Sequence, residues 1–450
     1  MSQVMIAGCP MPPKASSERV SLFGSLYFPC RVLSVKVPAD PANGQPGALA
    51  CGQSEAEIGG YPMTEMVYGA LPAREREPVL PKWWQTLDKW TMTSILLLFV
   101  IGIMLGMAAS PPLAEKNGFE PFHYVKKQAI FGGAAMIAMM LTSMMSPKLV
   151  RRLAVLGFGV TMVALLLLPV FGTDFGKGAT RWYSLGFASI QPSEFLKPGF
   201  VVVCAWLMAA NEEINGPPGR MWSFLLMVSI VVVLALQPDF GQACLILFGW
   251  SVMYFVSGAP MVLIGGILLA LIPTAQLAYN GSEHFARRID GFLDRSLDPT
   301  TQIGHATNAI REGGLFGVGV GEGTVKRSLP DAHTDFIISV AAEEYGLILV
   351  MVIIALYATI VLRSYFRLMR ERDPFIRLAG TGLVSIFGVQ AMVNMGVAVR
   401  LLPSKGMTLP FVSYGGSSLI AGGIAVGMIL AFTRSRPQGE IGDILRGRVR

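Results

Sequence analysis

The segment TMTSILLLFVIGIMLGMAA, residues 91–109, contains no charged side chain. A helix needs roughly 20 apolar residues to cross the hydrocarbon core of a bilayer, so this segment predicts a transmembrane helix. Further apolar runs follow along the chain, and we predict ten spans in all. Their bounds are 91–109, 128–145, 153–171, 196–211, 221–237, 241–258, 261–279, 336–362, 378–399 and 411–433.

The composition of the whole chain agrees with a membrane protein. Of its 450 residues, 52% are hydrophobic and 14% are charged, whereas soluble proteins carry about 25% charged residues. The five cysteines show no CxxC or Cys/His spacing, so neither a zinc site nor a disulfide framework is predicted. The chain has a net charge of +7. In a membrane protein, such an excess of Lys and Arg usually lies in the cytoplasmic loops, so no nucleic-acid partner is expected. The predicted fold class is therefore an all-α polytopic membrane protein.

The distribution of Lys and Arg predicts the orientation. With a cytoplasmic amino end, the cytoplasmic segments near the membrane hold 18 of these residues, and the outer loops hold 8 when the long loop 280–335 is left out. Positively charged loops favour the cytoplasmic side, and long loops weigh less in this comparison. Both ends are therefore predicted to be cytoplasmic, with a large extracytoplasmic loop between the seventh and eighth helices.

Residues 1–82 differ from the rest of the chain, because they are rich in proline and glycine and show no helical or alternating period. We predict a disordered cytoplasmic tail. The alternative is an over-extended start, since Met63 and Met66 lie shortly before the first span. The membrane domain is expected over residues 83–436, and residues 437–450 form a second cytoplasmic tail.

The motif QPSEFLK, residues 191–197, carries charge into the fourth span. Glu194 and Lys197 are three residues apart, so they share one face of a helix. Charge inside a membrane is costly and is normally paired or functional. The two residues are either an ion pair that fixes a helix end or part of a polar cavity for an anionic headgroup.

The motif LPDAHTDF, residues 329–336, leads into a span that contains Glu343 and Glu344. Asp335, Ser339 and Glu343 follow one side of a helix. A proton relay and a hydrogen-bonded scaffold that holds the outer loop are both consistent with this pattern.

The stretch RLLPSKGMTLPFVSYGGSS, residues 400–418, combines the cations Arg400 and Lys405 with small residues. Small residues let membrane helices pack closely, and cations at helix amino ends favour phosphate. Both roles remain open. The glycine run 313–323 lacks the order of a nucleotide-binding loop, so close backbone packing or backbone approach to a ligand is expected there.

The long outer loop places Asp290, Asp294 and Asp298 at four-residue spacing. On a helix these acids would form one solvated face. Asp298 differs, because Pro299 disfavours helix at the residue before it. A residue in such a turn is placed as a loop-borne catalytic group would be.

The motifs QPSE-x-x-K, HTDF followed by a pair of glutamates and Gly346, and LP-x-x-G-x-x-LPFVSYGGSS resemble the SEDS (FtsW/RodA/SpoVE) family. The resemblance runs from about Trp83 to Arg436, and SKGMTLP and GATRWYSLG are most similar to the division branch. It implies ten membrane helices and a glycosyltransferase that polymerises lipid II into peptidoglycan strands at the division septum. It also implies the outer face of the bacterial inner membrane, and partnership with a class B penicillin-binding transpeptidase and other divisome proteins.

The family resemblance also implies site residues. The catalytic aspartate of the family lies in an outer-loop motif like DPxGxGYQ, and matching its Asp-Pro pair places it at Asp298. In this match, Thr301, Ile303 and Gly304 stand where the motif has its glycines and tyrosine. Matching the final glutamine of the motif to Gln302 places the acid near Asp294 instead and loses the proline. The expected substrate-binding residues are Glu194, Lys197, Arg400, Lys405, Ser413 and Ser417. The expected loop-holding residues are His333, Asp335, Glu343 and Glu344.

In the implied reaction, Asp298 is the general base for a sugar hydroxyl. Lys197, Arg400 and Lys405 stabilise the departing diphosphate, and a divalent cation is an open alternative. Two other functions are alternatives to the glycosyltransferase: a lipid II flippase and a non-catalytic divisome scaffold. The halves of the chain show no clear internal repeat of the kind that transporters often carry.

Overall fold

The computed structural model describes residues 79–173, 181–186, 189–213, 215–281, 283–293, 301–329, 331–403 and 406–435. Within these ranges the helices are α1 (Val79–Thr86), α2 (Lys89–Lys116), α3 (His123–Met144), α4 (Pro147–Phe171), α5 (Pro192–Ala210), α6 (Gly219–Leu236), α7 (Phe240–Val256), α8 (Val262–Gly281), α9 (Glu283–Leu293), α10 (Gln302–Gly313), α11 (Ile337–Leu368), α12 (Pro374–Ala398) and α13 (Gly416–Thr433). The remaining elements are an antiparallel hairpin of β1 (Tyr183–Ser184) and β2 (Ser189–Ile190), and a short 3₁₀ helix, Val325–Arg327.

Each of the ten predicted spans coincides with a helix, namely α2 to α8 and α11 to α13. Eight helices in the described ranges are long and apolar enough to cross a bilayer: α2, α4, α5, α6, α8, α11, α12 and α13. Helix α7 is an apolar helix of 17 residues. The prediction of an all-α polytopic membrane protein is confirmed, and the orientation stays a prediction.

The structure adds two features to the predicted organisation. The long loop 280–335 contains helices α9 and α10, which the pattern of apolar runs does not predict. Helix α1 begins at Val79, inside the segment assigned to the amino-terminal tail. Residues 1–78 and 436–450 lie outside the described ranges, so the two tails stay predictions.

The helices differ in how deeply they are buried. In α5 and α12, 72% of the apolar window is buried, whereas no residue of α8 is buried. Lipid tails are as apolar as leucine, so exposed apolar side chains on an outer helix cost little in a membrane. The bundle therefore has α5 and α12 near its centre, and α8 at its periphery.

Close backbone packing explains part of the glycine run. A Cβ atom on Gly313 would lie 1.8 Å from the carbonyl oxygen of Ala342, and one on Gly317 would lie 2.1 Å from that of Glu344. Gly346 has a φ of 76° and interrupts α11 at this contact. The loop thus packs against the first part of α11 through positions that only glycine can occupy.

At the end of the bundle away from this loop, the buried carboxylate of Asp88 connects three helices. Asp88 precedes α2 and is 2% exposed. Both of its oxygens accept hydrogen bonds of 2.9 Å from Nε of Arg363, and Nη2 of Arg367 lies 3.2 Å from Oδ1. Arg367 also donates to the carbonyl oxygen of Thr433, so this cluster joins α2, α11 and α13.

Replacing Asp88 with Asn should destabilise the bundle. The variant removes the buried charge that both arginines share, and hydrogen bonds to charged groups contribute about 1.5–3 kcal/mol each. The arginines are partly exposed, so solvent screening keeps the loss near the lower end, about 1–2 kcal/mol. Thermal denaturation of the purified protein measures this as a lower midpoint.

The matched control for this prediction is Glu120→Gln. Glu120 pairs with Lys126 on the surface, where both side chains are mostly exposed, and such pairs contribute little to stability. Equal midpoints for Asp88→Asn and wild type would show that the Asp88 cluster does not stabilise the bundle.

Candidate active site

A cavity of about 970 Å³ opens where several helix ends meet. Its walls come from α3, the β hairpin and the residues just before it, α5, α7, the start of α10, the residues before α11, the end of α12, the segment before α13 and the first turn of α13. Its charged lining residues in the described ranges are Lys127, Arg181, Glu194, Asp239, Asp331 and Asp335. A polar cavity of this size inside a helical membrane bundle is a candidate ligand site.

Glu194 lies at the cavity wall in the first turn of α5. The sequence explains this start, because Pro192 fits the first turn of a helix and Gln191 occupies the N-cap position. Oε2 of Glu194 lies 2.6 Å from Nζ of Lys197, and both side chains are buried. Oε1 accepts a hydrogen bond of 2.5 Å from Nε2 of Gln242 on α7. The ion pair and the polar cavity, which the sequence left as alternatives, thus occur together.

Lys197 lies one turn deeper and does not line the large cavity. Its ammonium group donates to Oε1 of Gln390 on α12 at 2.9 Å. The side chain borders a separate small cavity of about 40 Å³. Glu194 and Gln390 therefore hold the ammonium inside the bundle, and the assignment of Lys197 to substrate binding stays a prediction.

Asp239 is a cavity residue that the sequence analysis missed. It precedes α7 and is 7% exposed. Its Oδ2 accepts hydrogen bonds from Nε2 of Gln191 at 3.2 Å and from Oγ of Ser193 at 3.3 Å. Burial raises the pKa of the Asp239 carboxyl, and the positive charge of Arg181 opposes this shift. The sequence feature that could have identified Asp239 is an acidic residue in the short turn between two apolar runs.

Arg181 stands beside this acid on the segment before the β hairpin. Its Nη2 donates to the carbonyl oxygen of Pro238 at 2.6 Å, and its Nε to that of Gln237 at 3.4 Å. These carbonyl groups are neutral, so the hydrogen bonds orient the guanidinium without cancelling its charge. The turn between α6 and α7 is thereby tied to the hairpin.

His333 and Asp335 both line the cavity. The His333 ring contacts the rings of Tyr124 and Tyr414 at centroid distances of 4.9 and 5.5 Å, and its carbonyl oxygen accepts a bond from the Tyr414 backbone N–H. The carbonyl oxygen of Asp335 accepts a bond from Nδ2 of Asn394. These contacts hold the segment before α11 in place, and they leave the two side chains at the cavity wall.

Glu343 and Glu344 are buried in α11, away from the cavity lining. The Glu343 carboxylate accepts hydrogen bonds from the backbone N–H groups of Val325 at 2.8 Å and Lys326 at 3.0 Å. Glu344 forms an ion pair with the Lys326 side chain. Both carboxylates thus bind the loop at the short 3₁₀ helix, an arrangement that favours the scaffold interpretation of this motif over a proton relay.

The two predicted serines, Ser413 before α13 and Ser417 in its first turn, have different surroundings. Ser413 is buried, and its hydroxyl donates to the carbonyl oxygen of Thr334 at 2.5 Å and accepts from the backbone N–H of Leu409 at 3.0 Å. It therefore holds the turn and does not line the cavity. Ser417 lines the cavity, and its oxygen accepts from the backbone N–H of Gln191 at 3.3 Å.

The remaining predicted residues fall into two groups. Arg400 follows α12 with a φ of 57° and is not part of the cavity lining. Lys405, Asp294 and Asp298 lie outside the described residues, so their assignments stay predictions. No group of three or more His, Cys, Asp or Glu side chains in the described ranges is arranged to hold a metal.

The structure describes the residues on both sides of the segment 294–300, which contains Asp294 and Asp298. On the amino-terminal side, Asp290 is exposed on α9 and its carboxylate accepts a bond of 2.8 Å from the Tyr279 hydroxyl. On the other side, the Thr301 side chain caps α10 by accepting from the backbone N–H of Gly304, and Gln302 lines the cavity. The chain that follows Asp298 therefore reaches the cavity wall at Gln302.

The fold and the cavity define a class, a multi-pass helical membrane protein with a charged cavity inside its bundle. The family model FtsW/RodA/SpoVE, described as cell cycle protein, matches residues 89–438. The chain belongs to this family, and the predicted membership is confirmed.

Curated relatives match most of the chain. The probable peptidoglycan glycosyltransferase FtsW of Caulobacter vibrioides is 40% identical over 379 residues, which are 82% of this chain and 96% of that protein. The protein with the same name from Trichlorobacter lovleyi is 35% identical over 349 residues, 75% of this chain and 91% of the relative.

Solved structures with the same fold cover a similar share. One chain belongs to the structure of a peptidoglycan synthase complex that coordinates polymerization and crosslinking. It matches with a TM-score of 0.65 and 30% identity, over 79% of this chain and 100% of the other. The rod shape determining protein RodA of Thermus thermophilus matches with a TM-score of 0.58 and 28% identity, over 79% of this chain and 99% of its own.

Replacing Lys197 with Met should lower the free energy of unfolding by about 3–5 kcal/mol, because removal of one partner leaves a buried charge uncompensated. The double variant Glu194→Gln with Lys197→Met removes both charges and should recover much of this loss. Thermal denaturation of the two variants and wild type measures the effect. A single variant as stable as wild type, or a double variant no better than the single one, would contradict the proposed pairing.

Proposed function

We propose that this protein is a peptidoglycan glycosyltransferase that polymerises lipid II into glycan strands. Family membership and the names of the curated relatives support the reaction class. The observation that carries the proposal is the charged cavity, which joins the QPSE motif, the HTDF motif and the segment before α13 at one site. Residues far apart in the chain thus form one binding surface.

The dimensions and chemistry of the cavity suit a lipid-linked sugar. A volume of about 970 Å³ lies at the upper end of the usual range for small-molecule sites, about 300–1,000 Å³. Hydroxyl and amide groups such as those of Ser417, Gln302 and Asn394 line it, and these groups can hydrogen-bond sugar hydroxyls. The lipid tail would leave between helices into the bilayer.

In the proposed reaction, the 4-hydroxyl of one lipid II sugar attacks the anomeric carbon of a growing chain. A polyprenyl diphosphate departs, and the hydroxyl proton passes to a carboxylate base. We assign this base to Asp298. It precedes Gln302, which lines the cavity, by four residues, and four residues of chain span at most about 14 Å. Asp294, the alternative base, is eight residues away from Gln302.

The proposed partners and the proposed location rest on the solved structure and on family membership. The solved structure of a peptidoglycan synthase complex supports a partnership with a crosslinking enzyme, which we take to be a class B penicillin-binding transpeptidase. Other divisome proteins are further proposed partners. We place the protein in the bacterial inner membrane at the division septum, with the cavity open to the outer face.

Replacing Asp298 with Asn tests the assignment of the base. Asn keeps the size and hydrogen-bonding capacity but cannot accept a proton as a carboxylate does, and general-base removal commonly costs about 100- to 10,000-fold in rate. Glycan chains made from lipid II by the purified protein with its transpeptidase, resolved on a gel, give the readout. Asp298→Asn should reduce polymer formation by this factor.

Asp290→Asn and Asp294→Asn are the matched controls in the same loop, and both should lose much less activity. If Asp298→Asn polymerises at the wild-type rate and Asp294→Asn is inactive, the base is near Asp294. If all three variants stay fully active, the loop does not supply the base.

The other two functions give different results in proteoliposomes that carry labelled lipid II on the outer face only. A polymerase makes glycan there. A flippase moves the label across the membrane and makes no glycan. A scaffold does neither, and it tolerates replacement of the loop acids without loss of cell division.

A further inference from the structure

Two neighbouring lysines on α3 have opposite surroundings. Nζ of Lys126 lies 2.5 Å from Oε2 of Glu120, and both side chains are largely exposed on the outside of the bundle. Lys127 is half-buried and lines the cavity. Only the second lysine therefore brings its charge to the candidate active site.

The position of Lys127 is fixed by contacts on both sides of it. Nε2 of Gln128, the next residue, donates to the carbonyl oxygen of Val412 at 3.0 Å, and its side chain is buried. The Tyr124 ring, three residues earlier, contacts His333 and Tyr414. Farther along α3, a Cβ atom on Gly423 would lie 2.4 Å from the carbonyl oxygen of Ala135, so α13 packs directly on the α3 backbone.

Lys127 also differs from the other cations near the cavity. The Lys197 ammonium is paired with Glu194, and the guanidinium of Arg181 is bound to two backbone carbonyl groups. The Lys127 side chain forms no hydrogen bond or ion pair in the ranges that the structure describes. Its three N–H donors are therefore available to a ligand.

The rest of the cavity makes this charge important. Four carboxyl groups line the cavity in the described ranges, against two cations. Carboxylates in the wall repel an anionic ligand and cations attract it, so the cations favour the part of the cavity where such a ligand binds. The proposed substrate carries its negative charge on a diphosphate, which binds lysine through charge-assisted hydrogen bonds.

We propose that Lys127 binds the diphosphate of the lipid-linked substrate at the cavity wall. This inference rests on the proposed function and gives the phosphate-binding role to a residue outside the set predicted from the sequence. Lys126 shares the same helix and the same chemistry, but it faces away from the cavity.

A binding assay on the full chain in lipid nanodiscs tests the inference without catalysis. The probes are a long-chain polyprenyl diphosphate and the matching polyprenyl monophosphate. Lys127→Met should weaken diphosphate binding about tenfold, the loss expected for one charge-assisted hydrogen bond. Lys127→Arg should stay within about threefold of wild type, and Lys126→Met should bind like wild type. The monophosphate should lose less affinity than the diphosphate when Lys127 is replaced by Met.

Polymerisation kinetics give the second readout. If the charge holds the substrate, Lys127→Met should raise KM for lipid II about tenfold and change kcat less. Wild-type diphosphate affinity in Lys127→Met, an equal loss in Lys126→Met, or no diphosphate binding by the wild-type protein would overturn the inference. Wild-type protein that binds the diphosphate but makes no glycan would refute the proposed function and leave the binding role of Lys127 intact.

Discussion

A charge inside the hydrocarbon layer is tolerated when it is paired or faces a polar cavity, and Glu194 meets both conditions. Its carboxylate is bound by Lys197 on the same helix and by Gln242 on α7, and Lys197 in turn reaches Gln390 on α12. This chain of contacts connects α7, α5 and α12 through the centre of the bundle. Because an unpaired charge would be costly there, these contacts favour close packing of the three helices at the cavity wall.

Hydrogen bonds from side chains to backbone groups stabilise the rest of the cavity wall. The Asn394 side chain holds the carbonyl groups of Asp335 and Met407. Ser413 connects Thr334 with Leu409, and Glu343 holds the loop that contains the short 3₁₀ helix. Irregular backbone is tolerated in a membrane protein when its polar groups are satisfied or line a cavity. The motif residues thus divide into those that stabilise the backbone of the wall and those whose side chains line the cavity.

The sequence predicted the helices well, because a run of apolar residues is a local property that does not depend on the rest of the fold. It predicted the contact between Glu194 and Lys197 for the same reason, since three-residue spacing on a helix is local. Asp239 and Lys127 were missed because their positions depend on α3, α5 and α7 meeting in three dimensions. Ser413 was predicted to contact substrate, and its hydroxyl instead holds a turn; in irregular backbone, spacing does not predict where a side chain points. Helices α9 and α10 were missed because their short amphipathic segments lack the apolar length that marks a span.

We propose above all that the cavity lined by the start of α10 binds the headgroup of a lipid-linked sugar. A structure determined by electron cryo-microscopy with lipid II bound tests this claim most directly. The account predicts density for the diphosphate and the first sugars inside the cavity, between Lys127 on α3 and the wall that contains Glu194 and Asp239, with the lipid tail passing between helices. Headgroup density elsewhere on the protein, with this cavity empty or filled by the tail, would contradict it.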